Sequence, residues 1–237
     1  IFSLIFLFTI CEKKFDKEKM FGFHRFSTLF FVVVVFISIF QLHPFETMTM
    51  SSTYSTRIKT TWNNESIAAE QFISISMHYS GEDLIILVHA PFYNDPVLPD
   101  WSKKPGTFDK LYEYEVVELF LLNSQNEHYL EIELAPRGQY LLLELNGYRN
   151  VTRTPISLKS YDVKIQHDKH WSGRAIVSHD DLPYGIDKFN AYAIHGSGSN
   201  RTYLSLFPAP HNNPNYSEPD FHRLELFQPI SLFHPYH

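Results

Sequence analysis

Tyr114-Glu115-Val116-Val117-Glu118-Leu119-Phe120-Leu121-Leu122, followed by Tyr129-Leu130-Glu131-Ile132-Glu133-Leu134 and Tyr140-Leu141-Leu142-Leu143-Glu144-Leu145, decides the fold. Three apolar-rich runs of strand length are joined by the turn-forming stretches Asn123–His128 and Pro136-Arg137-Gly138. That is the pattern of consecutive hairpins. Alternation assigns the faces. Val117, Leu119 and Leu121, then Leu130, Ile132 and Leu134, read as the core side. On the third run Leu141, Leu143 and Leu145 are expected inward, with Tyr140, Leu142 and Glu144 outward. Glu118, Glu131, Glu133 and Glu144 would then share one face, beside Phe120, Tyr129 and Tyr140.

Outward from this centre the same grammar repeats. Phe72–His78, Asp83–Ala90, Tyr161–Gln166, Gly173–Ser178, Ala191–His195, Tyr203–Phe207 and Leu224–Phe227 read as short strands between turn signals. A single helical turn is expected at Ser178–Leu182, ended by Pro183. Many short strands without alternating helices predict an all-β domain, an antiparallel two-sheet β-sandwich of jelly-roll type. Its span is 54–237. The loop Asn94–Leu111 is long and carries Trp101.

Composition agrees. In 237 residues, 44% are hydrophobic and 16% aromatic, with only 9 glycines, too few to favour a glycine-turn nucleotide-binding fold. The net charge of −6 and the lack of a basic, aromatic-interleaved stripe exclude nucleic acid as the expected partner. The single cysteine, Cys11, lies outside the domain, which excludes a disulfide framework, a cysteine zinc site and thiol catalysis within it. No cofactor is expected, and the domain is expected to be a monomer.

Residues 1–53 form an apolar leader with two readings. From Met20, Arg25 and the run Leu29–Phe40 resemble a signal peptide, too short for a membrane span. Alternatively the segment is non-native translation upstream of a start at Met48 or Met50. The protein is cytoplasmic on the second reading and secreted or membrane-anchored on the first. Sequons at Asn64, Asn150, Asn200 and Asn215 would matter only in the secreted case.

The run Leu111–Phe120, with Tyr129–Gly138 after it, resembles the signature of family 9 carbohydrate-binding modules: a Trp, an acidic-x-x-Glu-x-Phe box, and an aromatic-x-Glu strand ending in Asn-Pro-x-Gly. Tyr112 stands where those modules carry a stacking Trp, Glu115 and Glu118 occupy the acidic box, and Ala135 replaces the Asn. An uncharacterised family of animal proteins is more similar still, through Ala90-Pro91-Phe92, Asp95-Pro96, Tyr114–Glu118, Arg149-Asn150-Val151, Ile194-His195-Gly196 and Pro219-Asp220-Phe221-His222, over Thr61–Phe233. These resemblances imply a non-catalytic binding domain with a carbohydrate ligand. The residues expected to hold it are Tyr112, Glu115, Glu118, Trp101, Arg137, His195 and His222. The alternative is a protein-interaction or scaffold domain.

Other constellations have plainer explanations. Glu131 and Glu133 read as solvated charges on an outer face. His167 and His170 lack a third metal ligand. Gly196-Ser197-Gly198-Ser199 is not followed by the helix a nucleophile elbow needs. An enzyme would require His195 or His222 gathered with Glu118 in a pocket, with strongly shifted pKa values.

Overall fold

The computed structural model describes residues 52–99, 104–167 and 169–232. Residues 1–51 of the leader, Cys11 among them, and Trp101 lie outside the described residues. In chain order the strands are β1 (Tyr54–Ile58), β2 (Thr60–Thr61), β3 (Ile73–Ser80), β4 (Asp83–Pro91), β5 (Gly106–Thr107), β6 (Val116–Asn123) and β7 (His128–Leu134). They continue as β8 (Gln139–Asn146), β9 (Val151–Arg153), β10 (Ser160–Ile165), β11 (His170–Val177), β12 (Lys188–His195), β13 (Thr202–Ser205) and β14 (Gln228–Pro229). The smaller sheet has the order β1-β3-β4-β11-β10 and the larger β2-β13-β12-β6-β7-β8-β5, with β14 beside β12 and β9 beside β8. The strand pairs are antiparallel except the two-residue contact of β5 with β8.

Two apolar layers hold this arrangement. Between the sheets, Ile75, Met77, Ile86, Val88 and Trp171 meet Val117, Leu119, Leu121, Leu130, Ile132 and Phe189. A second cluster covers the outer face of the larger sheet: Val116, Phe120, Leu122, Tyr129, Leu141, Leu145 and Tyr192 lie under Leu111, Phe221 and Phe227. Strand β6 is therefore buried on both faces, which explains a sequence that is apolar almost without interruption.

The register corrects one expected face. Glu133 pairs with Leu141 and Glu131 with Leu143. Residues directly opposite in an antiparallel pair share a face. Leu141, Leu143 and Leu145 therefore lie on the outer, glutamate-bearing side, while Leu142 packs in the inter-sheet core and Tyr140 against it. Glu144 leaves the glutamate group and instead binds His128 and Arg153 at the sheet margin. With three consecutive leucines in β8, alternation has no sign until pairing supplies one.

Two local expectations change or hold. Ser178–Leu182 contains a 3-10 turn at His179–Asp181. The segment expected as a strand at Leu224–Phe227 is instead a 3-10 turn, Leu224–Leu226, which brings Leu224 and Phe227 onto the outer-face cluster together.

One glycine is obligatory. Gly196 leaves β12 at φ +79°, and a Cβ there would sit 2.2 Å from the Asn200 carbonyl oxygen. Gly196→Ala is expected to cost about 1–3 kcal/mol, from the left-handed backbone and the clash together. Thermal unfolding should register this as a drop of about 2–4 °C for each kcal/mol. An unchanged melting temperature would contradict the close approach.

Candidate functional site

The outer face of the larger sheet carries three acids in its middle. Glu118 on β6 lies opposite Glu133 on β7, and Glu131 is two residues along the same strand. Such neighbours have Cβ atoms about 5–7 Å apart. All three are buried, at 2%, 0% and 4% exposure. The expectation that Glu131 and Glu133 are solvated is therefore wrong. The covering residues, Phe221 and His222, arrive from roughly ninety to a hundred positions further along the chain.

A cavity of about 340 Å³ opens over these carboxyls. Tyr112, Tyr203, Phe221 and His222 form its ring-bearing walls, Leu143 and Leu145 an apolar side, and Arg149 reaches it from the β8–β9 turn. Tyr112 is 48% exposed at the mouth. Its turn, Leu111–Glu113, is held by the Arg201 guanidinium, which donates to the carbonyls of Tyr112 and Glu113. Asp220 ties down the far wall: it accepts from Arg149 Nη2 at 2.9 Å, from the Tyr148 hydroxyl at 2.9 Å and from the His222 amide at 3.0 Å.

The electrostatics of the floor are unusual. Glu118 Oε1, Glu131 Oε2 and both carboxyl oxygens of Glu133 have no hydrogen-bond partner among the described residues. The Tyr112 backbone offsets a little of the cost at Glu133 without meeting good hydrogen-bond geometry. Burial, first, and mutual repulsion, second, push the carboxyls of Glu118 and Glu133 well up from their ordinary range. Burial pushes Glu131 up to about 8, against the opposing pull of Arg149. The cluster therefore retains protons at neutral pH, because three buried like charges without partners cannot all ionise together. His222 hydrogen-bonds through Nδ1 to the Tyr129 hydroxyl at 2.8 Å, and its Nε2 lies 3.9 Å from Glu131 Oε2. Burial pushes it down to about 4, so it is neutral.

Of the residues expected to bind a ligand, Tyr112, Glu118 and His222 come together at this cavity. Glu115, Arg137 and His195 do not line it. Glu115 accepts the backbone amides of Tyr93 at 3.1 Å and Asn94 at 2.6 Å, anchoring the loop after β4; burial nevertheless raises its carboxyl to about 7. Arg137 donates to Asn94 Oδ1 and lies over the Phe92 ring. His195 is buried and stacked on Tyr93, with ring centroids 3.8 Å apart, and burial depresses it to about 4. Trp101 lies outside the described residues. Arg149, Tyr203 and Phe221 were not anticipated, although Arg149 and Phe221 sit inside quoted family motifs; Glu131 and Glu133 were placed on the face of Glu118 but read as solvated. Among the described residues, no three His, Cys, Asp or Glu side chains converge as a metal cage.

Comparison with known proteins gives a consistent picture. The chain is 48% identical over 155 residues to a zebrafish UPF0462 protein C4orf33 homolog, covering 64% of this chain and 77% of that one. It is 41% identical to the rat homolog and 38% identical to human UPF0462 protein C4orf33, in each case over 74% of this chain and 87% of the relative. No family model matches the chain. Among solved structures, a Bacteroides uniformis protein to which carbohydrate binding is attributed superposes with a TM-score of 0.50 at 12% identity, covering 73% of this chain and 84% of that one. At that identity the likeness speaks to the β-sandwich alone.

Proposed function

The chain belongs to the UPF0462 family, and we propose that its domain is a non-catalytic module that receives a carbohydrate in the cavity above Glu118, Glu131 and Glu133. One observation carries the reading: carboxyl oxygens without partners form the floor of an open cavity with an exposed tyrosine at its mouth. A protonated carboxyl both donates and accepts, as a sugar hydroxyl does, so a partly protonated cluster offers both halves of each bond. Tyr112 and Tyr203 offer flat faces to the C–H side of a pyranose ring. The carbohydrate binding attributed to the Bacteroides fold neighbour lends support.

His222 and Glu118 share the cavity with displaced pKa values, which meets the placement an enzyme would need. Acid–base catalysis, however, divides its groups: one carboxyl is held protonated while another stays ionised. Here burial holds all three carboxyls protonated, so none is left ionised as the nucleophile or base of a carboxylate pair, and His222 is a weak base. That favours binding over turnover. A concave site also suits a small ligand better than a protein face, which would call for a flat exposed patch.

A glycan array probed with the protein, and with Tyr112→Ala and Glu118→Gln, tests this. The expected result is saturable binding to at least one glycan, weakened about tenfold or more in both variants while far-UV and near-UV circular dichroism are unchanged. Absence of binding to every glycan would remove the carbohydrate reading. So would binding indifferent to both substitutions.

A further inference from the structure

The smaller sheet presents a second face, remote in sequence from the cavity over the glutamates. Its inner residues Ile75, Met77, Ile86, Val88, Trp171 and Ala175 fill the core, so their neighbours in each strand point outward. The register places Arg57 opposite Ser74, Ser74 opposite His89, His89 opposite Ser172 and Ser172 opposite Lys164. One row thus crosses all five strands, and every member can donate a hydrogen bond. At about 4.8 Å per strand the row is roughly 19 Å long. The adjacent row runs Ser55, Ser76, Leu87, Arg174, Asp162. From β3 to β10 both rows border a groove of about 440 Å³, and Arg57 and Ser55 continue them on β1 beyond its lining.

Several cations elsewhere on the surface are already engaged. Arg149 is paired with Asp220, Arg153 with Glu144 and Asp181, and Lys159 with Asp83. The side chains of Arg57, Lys164 and Arg174 are exposed and make no ion pair or hydrogen bond among the described residues. Asp162, opposite Arg174, is the acid that borders the groove. In a chain of net charge −6, three uncommitted cations with one acid make a locally positive strip. Serine hydroxyls lie between them, and Ser172 is already oriented by His89 Nδ1 at 3.1 Å and Gln166 Nε2 at 2.9 Å.

We infer that this strip is a binding site for an anionic polysaccharide, one bearing sulfate or carboxylate groups along an extended chain. Length, spaced cations and intervening hydroxyl donors match such a ligand. A nucleic acid fits less well, because no Trp, Tyr or Phe lines the groove for bases to stack on. The site is independent of the cavity over the glutamates and stands whether or not that cavity takes a sugar.

Heparin titrated into the protein by calorimetry at low and moderate salt is the test. Binding should weaken as salt rises. The triple variant Arg57→Ser, Lys164→Ser, Arg174→Ser should bind about tenfold or more weaker, and Asp162→Asn a few-fold tighter. Tyr112→Ala should leave heparin binding unchanged. Since the substituted side chains are exposed, the variants should fold, which circular dichroism checks. Failure of the unmodified protein to bind heparin at low salt would overturn the inference. Undiminished binding by the triple variant, or equal affinity for single-stranded DNA of matched charge, would overturn it as well.

Discussion

Between pH 5 and pH 9 the protein should lose stability, by an amount on the order of several kcal/mol. The cause is the buried floor of the cavity. A carboxyl whose pKa is higher in the folded state than in the unfolded chain contributes stability that is fully present below the unfolded value. That contribution is lost as pH rises through the folded value. For Glu131 the window runs from about 4.5 to about 8, and Glu115 acts the same way, more weakly, over a window ending near 7. Glu118 and Glu133 act in the same direction. One pH unit of displacement corresponds to about 1.4 kcal/mol, discounted for relaxation and water entry. His195 and His222 act oppositely. Their folded values lie near 4, below the unfolded value of 6.5, so their contribution is present above 6.5 and is lost as pH falls through 4. Stability should therefore peak at roughly pH 4.5–5, because above that the raised carboxyls lose more than the two histidines return. Urea unfolding at pH 5, 7 and 9 would trace the curve. Glu133→Gln should raise stability at pH 9 by on the order of 1–3 kcal/mol and change little at pH 5, since it removes one charge from the cluster. A flat profile, or a variant less stable than the parent at pH 9, would mean the carboxyls are better solvated than the geometry allows.

Phe120→Ala should be the most damaging single truncation on the outer face. The ring is fully buried and touches four others, with centroids 5.5 Å from Tyr192, 5.5 Å from His222, 5.8 Å from Phe227 and 6.3 Å from Tyr129. Removing a buried phenyl group costs about 3–5 kcal/mol in lost transfer and cavity energy. Against a total of about 5–15 kcal/mol that is a large fraction. The substitution also withdraws support from His222, a wall of the cavity, so ligand affinity should fall along with stability. Leu87→Ala is the control: the side chain is 37% exposed and its loss should stay within about 0.5 kcal/mol. Equilibrium unfolding of the pair decides the matter, and similar midpoints for both variants would show that the outer layer does not bear on stability.

What the sequence discloses depends on how local the cause is. In β7, Leu130, Ile132 and Leu134 alternate with Tyr129, Glu131 and Glu133, and both faces can be assigned by inspection. In β8, Leu141, Leu142 and Leu143 are equivalent by composition, and only the pairing with Glu133 and Glu131 tells them apart. Glutamates on an outer face look solvated because nothing nearby in the chain hides them; the segment that does lies around Phe221. Tyr112, Glu118 and His222 were legible because a short motif carries each. Arg149 was not, because its reach into the cavity depends on a left-handed residue in a turn, at φ 54°.

Burial of the larger sheet on both sides has a consequence for how faithfully its strands find their partners. A strand apolar on each face can slip by one residue with little penalty, since every side chain merely trades one greasy environment for another. In β6 and β7 that indifference is broken by Glu118, Glu131 and Glu133. A one-residue slip would carry carboxyls into the apolar layer between the sheets and bring Leu119, Leu130 and Ile132 out beneath the cavity. The three acids that weigh against the native state in alkaline solution weigh far more against its misaligned competitors, and so act as markers of correct alignment within an otherwise uniform apolar weave.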